Sequence, residues 1–313
     1  MLRIFTIILT LLAFCSCADD QLVIGIAWRD NVSGSSYIGT YNAIEAIGAK
    51  PVLLGQVCST DLRYSEGKID TAHLDENEIL LLDDAANIKL YTHNHSNAEE
   101  VMQNTDAVVV TGGEDISPTL FRNPEEWHGI EAEKDFNTTR DVSDYLLLSY
   151  CIDRDIPTLC ICRGAQMLGV VAGAPLIQDI PTYYAGLGID YNYIHRYNKS
   201  NPDAKKEYIS HPSVITHKNS LFYDIIKADT LHGCPSWHHQ AIGDLSNTSA
   251  VATATTTSQG VEIIEALEIP DKRFILGVQF HPEYVLAKED NEGKYMDRAT
   301  TLPIFDALAR AAK

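Results

Sequence analysis

Basic residues are scarce in this chain. Its 24 Lys and Arg face 43 Asp and Glu, a formal charge of −19 at neutral pH, and a surface of that sign repels phosphate backbones instead of neutralising them. A nucleic-acid-binding role is therefore not expected. Cysteine is sparse too: there are seven in 313 residues, unevenly spaced, which fits neither a disulfide scaffold nor a paired Cys-x-x-Cys zinc pattern. His93 and His95 stand two apart in a polar stretch with no carboxylate or thiol cluster to complete a coordination shell, and no glycine loop suits a nucleotide. Neither a metal nor a cofactor is expected. No internal repeat is visible, and beyond the first 20 residues no run has the length and apolarity of a membrane span. With 45% apolar and 21% charged residues, the composition is that of an ordinary globular domain.

The N-terminus is different. Arg3 precedes an apolar run from Ile4 to Phe14, too short to span a bilayer but long enough for a signal-peptide core. Ser16, Cys17, Asp19 and Asp20 follow, and the arrangement resembles a bacterial lipoprotein signal in which Cys17 is lipidated and becomes the first mature residue. Residues 1–20 are thus expected to be a signal segment, with the protein exported as a lipoprotein of the bacterial cell envelope, facing the periplasm or the surface. Its only membrane contact would be the lipid anchor. A plain secretory signal cut nearby is the alternative.

From Gln21 to Lys313 short β-rich runs alternate with helical stretches, the pattern of an α/β domain with a mostly parallel central sheet flanked by helices. Leu22 to Trp28, the run from Pro51, the run from Asp106, that from Pro157 and that from Phe274 read as strands. Tyr37 to Gly48, Arg140 to Ile152 and the stretch from Gly164 read as helices, as does Pro303 to Ala312, and Val251 to Glu268 reads as a hairpin. Residues 56–98 are polar and acidic around one apolar run near Ile79, which predicts an insertion with little regular structure.

Two stretches carry chemistry. In Thr158 to Gly169 (TLCICRGAQMLG) an apolar strand stops at Cys162 and a helix begins almost at once. Such a turn holds a nucleophile in strained backbone geometry at the carboxyl end of a sheet, beside a helix N-terminus that favours thiolate. Gly164 lets helix and strand approach, and the backbone N–H of Arg163 points toward a developing oxyanion. A Cys at a strand end can equally be apolar filling. In Leu276 to Tyr284 (LGVQFHPEY) a strand delivers His281 with Glu283 two residues on. In extended chain these lie on one side, so Glu283 can fix the imidazole tautomer while the other ring nitrogen takes the Cys162 proton.

ICRGAQ, FHPE and TGGEDISP together resemble the class I glutamine amidotransferase superfamily, specifically its γ-glutamyl-γ-aminobutyrate hydrolase-like branch, over most of the chain after Gln21. The resemblance implies a flavodoxin-like α/β fold with Cys162 as nucleophile, His281 as base and Glu283 as its orienter. It implies Gly113, in GGEDISP, as a second oxyanion donor beside Arg163, and Gln166 as the candidate for holding the substrate's α-amino and α-carboxyl groups. PSWHHQAI is similar to the branch's Asn-Ser-x-His-His-Gln segment and places His239 and Gln240 on the other side of the substrate. Arg140 and Asp115 are expected to be structural partners of a turn and a helix cap. Two residues depart from the pattern: Cys160 replaces a usual Gly in the elbow and Pro235 a usual Asn. Cys160 and Cys162 are expected to be free thiols, because a disulfide between them would be strained. The implied activity is hydrolysis of γ-glutamyl amide bonds in small peptides or amines through a thioester, with a small γ-glutamyl compound as the only expected partner. A glutaminase component and a non-catalytic γ-glutamyl-binding lipoprotein are the alternatives, and oligomeric state stays open.

Overall fold

A computed structural model describes residues 21–288 and 293–313. The expected signal segment 1–20, with Cys17, lies outside the described residues. Along the chain, β1 (Val23–Ile26), α1 (Ser35–Ala46) and β2 (Lys50–Leu53) form the first crossover unit. The short strands β3 (Tyr64–Ser65) and β4 (Lys68–Ile69) precede α2 (Leu82–Tyr91) and α3 (Ala98–Val101), and β5 (Ala107–Val110) follows. Next come α4 (Thr138–Arg154), β6 (Thr158–Ile161), α5 (Arg163–Ala172), β7 (Leu176–Ile177) and α6 (Ile180–Gly186). The remainder is β8 (Ile209–Ile215), α7 (Leu221–Ile226), β9 (Thr230–Ser236), β10 (Ala241–Ile242), β11 (Val251–Ser258), β12 (Val261–Glu268), β13 (Ile275–Val278), α8 (Tyr284–Ala287) and α9 (Arg298–Ala311).

Among the described residues, nine strands make one sheet in the order β2-β1-β5-β6-β13-β12-β11-β8-β9. The first five are parallel, and from β13 onward every pairing is antiparallel. The parallel strands β5 and β6 are buried on both faces, which is why they read as unbroken apolar runs. Alternate residues feed two cores: Val108 and Val110 pack with Leu146, Leu147 and Met167 of α4 and α5, while Ala107 and Val109 pack with Ile44 of α1 and Leu308 of α9. Gly164 is where α5 meets the sheet; a Cβ there would lie 2.3 Å from the Val110 carbonyl oxygen.

Two expectations need correction. Residues 56–98 are not irregular, since they hold the β3–β4 hairpin, α2 and two 3-10 turns. Widely spaced apolar residues, among them Val57, Leu62, Ile69, Leu80 and Ile88, anchor them in the core, and Ser143 and Thr139 of α4 accept from the N–H groups of Val57 and Ile69. Scattered anchors in a polar stretch leave no periodicity to detect. The last helix begins at Arg298 and not Pro303, because the Asp297 side chain caps it by accepting from Thr300 N at 2.8 Å. Pro303 merely forfeits one helical hydrogen bond inside it.

Candidate active site

Cys162 follows the last residue of β6 and precedes the first residue of α5. Its backbone sits at φ 52°, ψ −108°, a conformation that costs a residue with a Cβ on the order of 1–3 kcal/mol and persists only where its surroundings enforce it. They do: Cys162 N donates to Val278 O of β13 at 2.8 Å, and Cys162 O accepts the first α5 hydrogen bond, from Gln166 N, at 3.0 Å. The side chain is thereby raised at the carboxyl end of the parallel strands. Cys160 and Cys162 are both free thiols.

His281 arrives just past β13, its N–H donating to Pro235 O at 2.8 Å. Its Nδ1 lies 2.8 Å from Glu283 Oε1, a buried pair. The route differs from the one expected, because the strand ends at Val278 and Glu283 is in a helical turn, at φ −66°, ψ −20°. A tight turn after Pro282, not strand alternation, folds the carboxylate back onto the ring. The other side of the ring meets Cys162 around Gly112: a Cβ at 112 would stand 2.6 Å from His281 Cε1 and 3.5 Å from Cys162 Cβ. Only glycine leaves that space. The Cys162 side chain is among the groups that act on the His281 ring there. Burial pulls the imidazole down, but Tyr208, Cys162 and Glu283 outweigh it and hold His281 well above its ordinary value. The Tyr208 ring stands edge-on to it, centroids 5.0 Å apart.

The glycine turn after β5 is braced from below. Fully buried Arg140 donates to Thr111 O and Gly112 O, both at 3.0 Å, and to Glu114 Oε2 at 2.6 Å. A Cβ on Gly113 would collide with that guanidinium, 1.9 Å from Nη1. Burial raises the Glu114 carboxyl, yet Arg140 and Arg163 hold it down at about 2. The Arg163 side chain points into the protein, pairing with Asp141 at 2.6 Å and with Asp144. Burial opposes its charge, but Asp144 and Asp141 raise it further above the ordinary arginine range. What Arg163 can offer a ligand is therefore its backbone N–H, in a first helical turn that leaves such groups without carbonyl partners.

Cys162 and Gly113 open on a cleft of about 110 Å³ whose walls include Gln166, His239 and Gln240. Concavities of about 600 to 650 Å³ lie elsewhere without touching Cys162; chemistry, not size, picks out the site. Gln166 Nε2 donates to Gln240 O at 2.8 Å. Gln240 Oε1 accepts from Ile116 N at 3.0 Å, while its Nε2 is buried without a partner. His239 lines the cleft, yet Nε2 is 2.7 Å from Asp115 and Nδ1 is 3.0 Å from Asp179. Both nitrogens are occupied. Burial lowers His239, but these two carboxylates prevail and raise it.

Sequence reasoning missed several residues of this cleft. Arg196 and Lys199 line it, pairing with Glu133 Oε2 at 2.9 and 2.6 Å, together with Asp135 and Trp237. They sit in loops without periodicity. A local signal existed for Glu114, inside GGEDISP, and for Trp237, inside PSWHHQAI. Residues 56–98 contribute nothing to its walls.

The Peptidase C26 family model matches residues 85–283. Protein NtpR of Enterococcus hirae is 32% identical over 186 residues, covering 59% of this chain and 70% of its own length. A glutamine amidotransferase-like protein of Rickettsia prowazekii is 30% identical over 243 residues, 68% of this chain and 79% of its own. The γ-glutamyl-γ-aminobutyrate hydrolase PuuD of Escherichia coli is a more distant relative, 23% identical over 187 residues that span 59% of this chain and 67% of PuuD. The glutaminase domain of Trypanosoma brucei CTPS shares the fold, with a TM-score of 0.52 at 16% identity over 93% of this chain and 94% of that one.

Proposed function

Because the chain belongs to the Peptidase C26 family, we propose that it is a cysteine hydrolase that cleaves γ-glutamyl amide bonds of small peptides or amines. The observation that carries this reading is the strained Cys162 beside a His281 ring tied to Glu283 at 2.8 Å. Glu283 fixes the proton on Nδ1, so Nε2 takes the thiol proton and the sulfur attacks the γ-carbonyl carbon. The N–H groups of Gly113 and Arg163 stabilise the tetrahedral oxygen, each worth about 3 kcal/mol. His281 then gives its proton to the departing amine. A γ-glutamyl thioester remains on Cys162, and water, deprotonated by the same imidazole, hydrolyses it to glutamate.

Substrate class follows from the cleft's charges. Arg196 and Lys199 face the same small space as Glu114, Asp115, Glu133 and Asp135, and a wall bearing both signs suits the zwitterionic α-amino and α-carboxylate end of a glutamyl group. An uncharged peptide side chain offers no counterpart. The distant γ-glutamyl-γ-aminobutyrate hydrolase relative points the same way. Export belongs to the proposal on the strength of Arg3, the run from Ile4 to Phe14 and Cys17 alone; among the described residues no helix is long and apolar enough to cross a membrane.

The test incubates the purified protein and Cys162→Ala with a γ-glutamyl anilide, with glutamine and with an α-glutamyl anilide, following glutamate release and intact-protein mass. Release from the γ-anilide, lost in the variant, with a transient glutamyl adduct on the wild type, is the expected result. Preference for glutamine would move the assignment to a glutaminase, and silence on all three would leave a binding protein.

A further inference from the structure

Four side chains from distant parts of the sequence converge in the antiparallel half of the sheet: His195 from the segment before β8, His211 on β8, His238 just past β9 and Glu265 on β12. One ligand atom of each lies within 4.8 Å of all the others. None of the four residues is more than 4% exposed. His195 Nδ1 is 3.3 Å from Glu265 Oε1, and His211 Nε2 is 3.6 Å from the same oxygen.

The tautomers can be assigned from their neighbours. His238 Nδ1 is 2.8 Å from Gln240 O, and His211 Nδ1 is 3.1 Å from Pro212 O. A carbonyl only accepts, so both Nδ1 atoms carry hydrogen and donate, and in a neutral ring each Nε2 is then a lone pair. Those two Nε2 atoms, both oxygens of Glu265 and both nitrogens of His195 are buried without any hydrogen-bond partner. Protonating Glu265 would satisfy one of the facing nitrogens and leave the rest unpaired. A cation at the centre gives one atom of each of the four residues a partner at once. Backbone carbonyls that hold the outer N–H of a histidine are also the usual means of orienting a metal-bound imidazole. The separations of 3.3 and 3.6 Å bracket the edge of about 3.4 Å that four ligands make at bond lengths near 2.1 Å around a tetrahedral ion.

We propose that His195, His211, His238 and Glu265 bind one zinc ion in a closed structural site. Three imidazoles and one carboxylate suit zinc, whereas calcium and magnesium take oxygen shells. Four protein ligands leave no open position for water, so the ion holds the structure together without reacting. It pins the segment that carries Arg196 and Lys199 to β8 and β12. It also pins His238, whose neighbours His239 and Gln240 line the cleft. No two of the four residues are closer than 16 positions apart, so no local metal motif marks them in the sequence.

The test uses the full chain carrying a tag free of histidine, purified from cells supplied with zinc, with metal measured by plasma mass spectrometry after gel filtration. The expected result is roughly one zinc per chain. A strong chelator should remove it and lower the melting temperature, and added zinc should restore both. Cobalt loaded in its place should give the intense visible bands of a tetrahedral site. His238→Ala and Glu265→Gln should lose the metal, whereas His93→Ala, outside the cluster, should keep it. If His238→Ala does not fold, Glu265→Gln, nearly equal in volume, and the wild-type metal content still decide. Background metal in folded wild-type protein, with a melting temperature indifferent to zinc and chelator, would overturn the proposal, as would full occupancy by another metal.

Discussion

In the parallel half of the sheet the candidate catalytic groups sit within three residues of strand ends, at Cys162 after β6 and at Gly113 and His281 after β5 and β13, whereas in the antiparallel half the polar centre is gathered from a loop and three separate strand regions. Parallel strands deliver their carboxyl ends to one edge, so a short motif read along one strand already specifies a place in the cleft. Antiparallel strands offer no such common edge. Their buried polar cluster exists only through long-range register, such as Ser210 opposite Pro235 and Thr255 paired with both Val214 and Ile264. The first arrangement draws its candidate catalytic groups from a few short motifs, and the second gathers its polar cluster through many strand pairings.

Substitutions can break or sharpen that contrast. Cys162→Ala should reduce γ-glutamyl hydrolysis by about 10⁴-fold or more while leaving the unfolding midpoint nearly unchanged, because the strained backbone is held by Val278 and Gln166 and not by the thiol. A large drop in stability would place structural weight on that sulfur and blur the division. Asp144→Asn tests the reverse within the same half. Asp144 is fully buried between Arg140, at 3.4 Å, and Arg163, so neutralising it leaves buried guanidinium charge undercompensated at a cost of about 3–5 kcal/mol. Urea unfolding should register it; an unchanged midpoint would show that Glu114 and Asp141 suffice alone. Glu283→Gln should lower kcat by roughly 10²-fold and shift the alkaline limb of the rate profile down. Glu283 is one of the groups holding His281 above its usual value, so its charge sustains the imidazolium to higher pH. A profile that keeps its position would relieve Glu283 of that role.

Legibility followed the same division. The parallel strands, the elbow at Cys162 and the convergence of His281 with Glu283 could be read because each is written in consecutive residues: an apolar run, then a special turn, then a named side chain. Even there the reason was partly wrong, since a turn at Pro282 and not strand alternation folds Glu283 back. The hairpin of β11 and β12 was legible through its β-branched pattern. The helix and hairpin within residues 56–98 were hidden because their stability comes from single anchors such as Val57 and Ile88 that enter the same core as α4. Arg196, Lys199 and Glu133 were hidden for a related reason, as two charges in a loop and one on a short 3-10 turn acquire meaning only once the two segments meet.

The smallest effect concerns His239, which separates positioning from chemistry at the boundary between the two halves. Its ring is clamped between Asp115 and Asp179, and its folded value is raised above 6.5. Burial alone would raise Asp179, but its hydrogen bonds to His239 and Thr182 lower it below 3.8. A raised histidine contributes stability in full below its unfolded value, and that contribution disappears as pH climbs through the folded value. A depressed carboxylate contributes above its unfolded value and fades as pH falls through the folded one. Both conditions hold between 3.8 and 6.5, so wild type should exceed His239→Gln there by about 1–3 kcal/mol, the range for hydrogen bonds to charged groups. Above the raised histidine value the gap should close, because Gln and neutral His then offer similar dipoles to two carboxylates. Urea midpoints for the two proteins across that range test the sign directly. Curves that stay parallel on the alkaline side would mean that His239 is held neutral, with one of its flanking acids carrying the proton instead.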